Sequence, residues 1–159
     1  MRVLRVLVLL VCVAMLTACQ LFQQQGLNSE QVAVLQKYGF KLSDEGWEFG
    51  MAAKVLFEFD SDNIAPASQQ TLADITHDFV GVGISGLTLE GHTDTSGEPA
   101  YNLDLSQRRA AAVAEVMISN GMPRDNILVR GMGGSKPIAD NNTYSGRGEN
   151  RRVTIIVAN

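Results

Sequence analysis

From Trp47 to the C-terminus the hydrophobic period switches back and forth between two and 3.6, and that alternation leaves few folds open. In "KVLFEFD" (54–60), Val55, Phe57 and Phe59 alternate with Leu56, Glu58 and Asp60, which predicts a half-buried strand. Pro66 then opens a helical stretch with Leu72, Ile75 and Phe79 on one face. "GLTLEGH" (86–92) predicts a second strand, Leu87 and Leu89 pointing the same way. A helix beginning after Leu105 carries Ala110, Val113 and Met117 inward and stops at Gly121-Met122-Pro123. "NILVRG" (126–131) and "RVTIIVAN" (152–159) read as a third and a fourth strand. Between them lies a Gly-, Asn- and Pro-rich loop over 131–142, too long for a simple turn. Strands alternating with helices in this order pack as an α/β sandwich, a βαβαβ-type sheet with helices on one face.

The N-terminal residues obey a different logic. Arg2 and Arg5 precede an unbroken apolar run from Val6 to Leu16. A membrane-spanning helix needs about 17–25 apolar residues, so this run has the proportions of a secretory signal peptide instead. It ends in "LTAC" (16–19), which resembles the lipobox of bacterial lipoproteins. That resemblance implies removal of residues 1–18 and lipidation of Cys19. Gln20, in place of an aspartate after the cysteine, implies sorting to the outer membrane, with the chain anchored by lipid on its periplasmic face. Residues 19–28 read as a Gln-rich tether. Asn28, with Gln31 three positions on, offers a capped helix start, Val32 and Leu35 share a face, and Gly39 is a stop. Such a two-turn helix is marginal alone and has to dock on something. The expected organisation is therefore signal peptide (1–18), tether (19–28), helix and interaction segment (29–53) and globular domain (54–159).

Removing 1–18 takes away two arginines and no acid, leaving 11 basic against 17 acidic residues, a net charge of −6. An acidic chain without a Lys/Arg tract is not built for nucleic acid. Cys12 leaves with the signal and Cys19 is used for lipid, so disulfides, CxxC redox chemistry and cysteine-ligated zinc are excluded. Catalysis finds little to work with. His77 and His92 are the only candidate general bases near neutrality, and His77 belongs to the solvated side of its helix. No nucleophile elbow or Walker loop occurs. "HTD" puts His92 and Asp94 on one side of a strand end but offers no third metal ligand, and "DSDN" (60–63) lacks the later glycine and glutamate of a calcium loop. We expect no enzyme, no metal and no cofactor.

A binding site is better supplied. With the helix starting after Leu105, Arg108 and Arg109 fall in its first turn, where the macrodipole is already positive. Asp94 lies fifteen residues before Arg109, in a loop made permissive by Gly97. Brought together, the two charges and free helical N–H groups would hold a zwitterion, its carboxylate on Arg109 and its ammonium on Asp94. The same residues could equally form a salt bridge that only closes the loop, worth about 0–1 kcal/mol, and spacing alone does not separate the two.

"GHTD" (91–94) followed by "YNLDLSQRRAAAV" (101–113) closely resembles the OmpA-like peptidoglycan-binding domain, as do "RGMGGSKPIADN" (130–141) and "GRGENRRV" (146–153). The resemblance covers about residues 54–158, with four motifs in the family's order. It implies that Asp94 and Arg109 hold the meso-diaminopimelate of a peptidoglycan stem peptide. It further implies that Asn102 lines that pocket, Leu105 closes it, Arg151 adds a polar contact and Asp60 is an acidic neighbour. Arg108 is left for solvent or for Asp104. The N-terminal segments "GLNSEQVAVLQKYGF" and "DEGWEFGMAAKVLF" are similar to those of YfiB-type outer-membrane lipoproteins. That similarity implies a further partner, a YfiR-like periplasmic repressor of a diguanylate cyclase, and hence a role in cyclic di-GMP signalling. Leu35, Phe40 and Trp47 are the candidate partner-binding residues; the apolar pattern alone equally allows them to cap the domain core. A purely structural anchor between outer membrane and cell wall is the competing role, and the sequence leaves room for a homodimer.

Overall fold

The computed structural model describes residues 26–58 and 61–159. Cys19, the signal peptide, most of the tether, Phe59 and Asp60 lie outside the described residues.

Helix α1 (Ser29–Lys37) starts on the expected capping box: the Asn28 side chain accepts from the Glu30 and Gln31 amides while Gln31 Oε1 accepts from the Asn28 amide. Gly39, at φ +83°, turns the chain out of it. A hairpin follows, β1 (Lys41–Ser43) and β2 (Gly46–Ala52). One helical turn, α2 (Ala53–Leu56), leads to α3 (Pro66–Gly81) and β3 (Leu87–His92). Then come α4 (Pro99–Ser119), β4 (Ile127–Gly131), α5 (Tyr144–Asn150) and β5 (Arg152–Val157). The five strands lie in the order β1-β2-β5-β3-β4, antiparallel throughout except for the parallel pair β3–β4 that flanks α4 in sequence.

Register explains the core. Trp47, Phe49 and Met51 stand opposite Val157, Ile155 and Val153, which continue into Leu89 and Gly91 on β3. That face meets Leu72, Ile75 and Phe79 of α3 and Ala110, Val113 and Met117 of α4, all buried. The other face carries Glu48, Thr154, Arg152, Glu90 and His92, the polar alternate positions of the same strands.

The α/β sandwich is as expected, with three local corrections. The strand predicted over 54–60 does not form over 54–58: β2 has already run to Arg152, the first residue of β5, and Ala53 donates its amide to Arg151 O at 2.8 Å as the chain leaves the sheet. The helical turn buries Leu56 and leaves Val55 exposed, and Phe57 keeps only an isolated bridge to Ile64. Secondly, α4 begins at Pro99, preset for a first helical position, so Arg108 and Arg109 lie in its third turn rather than its first. The macrodipole therefore has no part in placing them. Thirdly, residues 29–53 are no appendage. Their hairpin forms two of the five strands, and β2 pairs with β5 through Trp47 to Ala52.

Two glycines decide how close α4 lies to the sheet. Gly91 and Gly131 are direct partners across the β3–β4 pair. A Cβ on Gly91 would stand 1.9 Å from Ser106 O, and one on Gly131 2.7 Å from Leu103 O. The helix backbone rests on the bare strands there, which fixes the height of Asn102, Leu105 and Arg109 above the sheet. Gly91→Ala has to push α4 off β3, and we expect it to lower the unfolding free energy by at least roughly 1–3 kcal/mol. Urea denaturation measures this, and an unchanged midpoint would contradict the close-packing account.

Candidate functional site

The site forms where β3 ends. Because His92 pairs with Arg152 across the antiparallel β3–β5 ladder, the residues just beyond β3 and just before β5 meet. Asp94 and Arg151 thus face each other, and Arg151 Nη1 donates to Asp94 Oδ2 at 2.5 Å. Asp94 Oδ1 takes the Ser96 amide at 2.8 Å, closing an Asx turn. Only 7% of Asp94 is exposed. Burial is the strongest single influence on its carboxyl and opposes ionisation, but the Arg151 hydrogen bond and the Ser96 contacts together outweigh it and hold the pKa below the ordinary value.

Arg109 arrives from α4. Its side chain is mostly buried, its guanidinium carbon lies 5.1 Å from the Phe57 ring centroid, and Asp62 Oδ1 is 3.8 Å from its Nε. That Nε is buried with no hydrogen-bond partner. Burial pushes the guanidinium below its usual pKa, the nearby Arg151 adds to that, and Asp62 opposes it. Asp62 is engaged elsewhere, accepting from Arg108 Nε at 2.9 Å. Arg108 also pairs with Asp104, as expected. Arg109 comes near Arg151, and it is Arg151, not Arg109, that forms the ion pair with Asp94. A salt bridge between Asp94 and Arg109 that merely closes the loop is therefore not what the structure contains.

The remaining predicted residues divide. Asn102, buried in the first turn of α4, donates to Ser96 O at 2.7 Å and more weakly to Asp94 O, so it braces the loop wall. Leu105 is half-buried one turn before Arg109. Asp60 lies outside the described residues; Asp62, two positions on, is the acid seen meeting Arg108 and Arg109. Sequence reasoning passed over Asp62, Ser106 and Asn150. Ser106 is fully buried, and its hydroxyl accepts from the Gly133 amide at 2.9 Å while donating to Leu103 O at 2.8 Å. It thereby ties α4 to the loop after β4. A buried polar residue in an otherwise apolar helix stripe was the available signal.

His92 sits deep behind the site, 2% exposed, and burial with the charges of Arg152 and Lys136 pushes its pKa down to about 3. It is neutral at any ordinary pH. His77 is exposed on α3, as predicted.

Leu35, Phe40 and Trp47, the expected partner-facing residues, are instead core residues, 0%, 4% and 9% exposed. Phe40 packs on Phe49 and Phe79 with ring centroids 5.2 and 5.6 Å away. The amphipathic stripe of α1 had to be buried, and the groove beside α3 and β2 covers it. Lys37 Nζ and Tyr38 Oη both donate to Asp78 Oδ2, at 2.6 and 2.7 Å, and Gln31 Nε2 donates to Val82 O, fastening α1 to α3.

A five-stranded α/β sandwich in this strand order, with an Asp–Arg pair just beyond β3, is the architecture of one class of domain. A sequence model of the OmpA family matches residues 56–151, and the chain belongs to that family. It is 56% identical over 134 residues to the outer-membrane lipoprotein YfiB of Pseudomonas aeruginosa, covering 84% of this chain and 80% of that one. Among solved structures it superposes on a MotB-like protein from Desulfovibrio vulgaris with a TM-score of 0.69 at 20% identity, covering 81% and 93% of the two chains. The peptidoglycan-associated lipoprotein of Burkholderia pseudomallei gives 0.58 at 27% identity, covering 64% and 86%.

The depressed pKa of Asp94 has a consequence for acid stability. Its ionised, Arg151-paired form stabilises the fold fully above the ordinary aspartate value of 3.8, and this contribution is lost as pH falls through the lower folded-state value. Urea midpoints followed from pH 6 to pH 2 should therefore fall less steeply below about pH 4 in Asp94→Asn than in wild type. Parallel acid limbs would rule this out.

Proposed function

We propose that this chain is an outer-membrane lipoprotein, anchored through Cys19, that binds diaminopimelate-type peptidoglycan non-covalently in the Asp94–Arg109–Arg151 cleft. One observation carries the reading: a largely buried guanidinium, Arg109, whose Nε lacks a hydrogen-bond partner, stands at the site of a buried carboxylate already committed to a different arginine. Asp62 reaches Arg109 only at 3.8 Å and is itself held by Arg108, so the Arg109 guanidinium keeps unused donors in a partly desolvated setting. An incoming carboxylate satisfies them, and Asp94 remains to meet an ammonium group. Meso-diaminopimelate presents that pair on one side-chain end. The similarity to a peptidoglycan-associated lipoprotein and to an outer-membrane lipoprotein supports the same reading.

Asp94→Ala and Arg109→Ala each leave an opposite charge unpaired in the complex, so each should weaken binding by about 2–5 kcal/mol. Co-sedimentation with purified sacculi is the assay and circular dichroism the control for folding. If both folded variants sediment as wild type does, the site assignment falls.

A second role rests on the N-terminal segment and on the similarity to YfiB. In this reading the chain sequesters a YfiR-like periplasmic repressor and so relieves a diguanylate cyclase, rather than serving as a plain anchor between outer membrane and cell wall. With α1 docked, residues 20–28 span at most ~32 Å; with α1 and the hairpin's first strand released, residues 20–45 extend to roughly 86–94 Å. A nine-residue helix has little stability of its own, so a partner that captures Leu35 or Phe40 shifts the equilibrium. Leu35→Pro, which breaks α1, should raise a cyclic di-GMP reporter, and Arg109→Ala added to it should reduce that gain. A Leu35→Pro strain with normal protein abundance and wild-type output leaves only the anchor.

A further inference from the structure

The loop that carries Asp94 owes its position to a residue that touches no ligand group. Within the loop, the Thr95 amide donates to Asn141 Oδ1 at 3.2 Å, 46 residues away in sequence. The same oxygen accepts from Asn150 Nδ2 at 2.9 Å. Asn150 is completely buried and fully used: its Oδ1 takes the amides of Ile138 and Ala139, and its Nδ2 also reaches Ala139 O. Arg147 Nη1 clamps the backbone from the other side, donating to Asn141 O at 3.0 Å. Asn150 is followed directly by Arg151, the ion-pair partner of Asp94. One buried amide thus stands next in sequence to the arginine that pairs with Asp94 and, through Asn141, is linked to the loop after Asp94.

We propose that Asn141, locked by Asn150, is a positioning residue for the cleft; this rests on the ligand-binding role of Asp94 argued above. It acts by fixing the Thr95 amide, and through the turn at Asp94–Ser96 it fixes the direction of the Asp94 carboxylate. A recognition site loses its grip when its groups stray by more than about 0.5 Å, so the brace bears on affinity. The chemistry is asymmetric in a useful way. Of the two polar atoms of the Asn141 side chain, only the oxygen has partners among the described residues, both of them donors. A carboxylate oxygen can replace it; a methyl group cannot. Asn141 is only partly buried, so neither change strikes the core.

The test uses the full-length lipoprotein in detergent, as wild type, Asn141→Ala, Asn141→Asp and Asp94→Ala. Two quantities are measured: hydrogen exchange of the Thr95 amide, and co-sedimentation with diaminopimelate-type sacculi. Asn141→Ala should speed Thr95 exchange at least about tenfold and weaken sacculus binding about tenfold, the effect of one lost hydrogen bond. Asn141→Asp should restore both. A Thr95 amide that exchanges in Asn141→Ala at the wild-type rate overturns the proposal, and so does an Asn141→Asp variant as impaired as Asn141→Ala. If wild type and Asp94→Ala sediment alike, the ligand reading has failed; faster Thr95 exchange in Asn141→Ala and its recovery in Asn141→Asp then still uphold the brace.

Discussion

Helix α4 lies on the β3–β4 pair without a side chain between them, because Gly91 and Gly131 face each other across that pair and leave only backbone for Leu103–Gln107 to rest on. Everything at the cleft inherits its coordinates from this contact. It brings Ser106 within reach of the Gly133 amide, and Asn102 within reach of the loop that carries Asp94. It also sets Arg109 at a height where its guanidinium meets the ring of Phe57. A helix held off by even one methyl layer would carry Arg109 away from Asp94 and leave the buried hydroxyl of Ser106 without its donor. The small residues of β3 and β4 therefore set the geometry of the proposed site as well as the packing.

Electrostatically, the charged groups of the proposed site are not all spent on one another. Asp94 is kept ionised against its own burial by Arg151 and the Ser96 turn. Arg109 is desolvated, lies beside a second guanidinium, and has Asp62 only at a distance. Had Asp94 paired with Arg109 directly, the ligand would have to break that pair before forming its own contacts. Assigning Asp94 to Arg151 and leaving Arg109 to an aromatic face avoids the competition. Asp62 serves the same end from outside by engaging Arg108, so that the neighbouring charge is spent at the surface.

How much of this could be read from the chain depended on whether the governing contact was local. The α1 capping box, the Pro66 start of α3, the stop at Gly121 and three of the four expected strands follow from neighbouring residues, and they stand where expected. The run Val55-Leu56-Phe57 misled because it suits either period, and only the end of β5 decides that the chain must leave the sheet there. The start of α4 was placed late because Pro99 was passed over as a helix opener in favour of the apolar stripe after Leu105. Asp94, Arg109 and Arg151 were legible as charged residues in recognisable motifs. Which of the arginines would take Asp94 was not, since that choice is made by the antiparallel register of β3 and β5. Helix α5 was missed for the opposite reason: its two glycines argue against a helix, and Gly146 is required there because a Cβ would stand 2.1 Å from Asp140 O.

The burial of Leu35, Phe40 and Trp47 sharpens what a partner would have to do. These residues stand in the same core as Phe79 and Ile155, so they cannot be offered to another protein while the fold keeps its present form. Exposing Leu35 and Phe40 forfeits roughly 1.5–3 kcal/mol each. The Asp78 contacts to Lys37 and Tyr38 add little to that, being surface hydrogen bonds and ion pairs. A binding event that re-buries both side chains recovers most of that loss, so it needs only a modest surplus to hold the released form. The hairpin is a different matter. Strand β2 exchanges hydrogen bonds with β5 over six residue pairs, and withdrawing it would strip one flank of the sheet. The natural breaking point therefore lies between α1 with the short β1, which are lightly held, and β2, which is not. A switch of the kind proposed would have to move the first two and leave β2 and the Asp94–Arg151 pair in place.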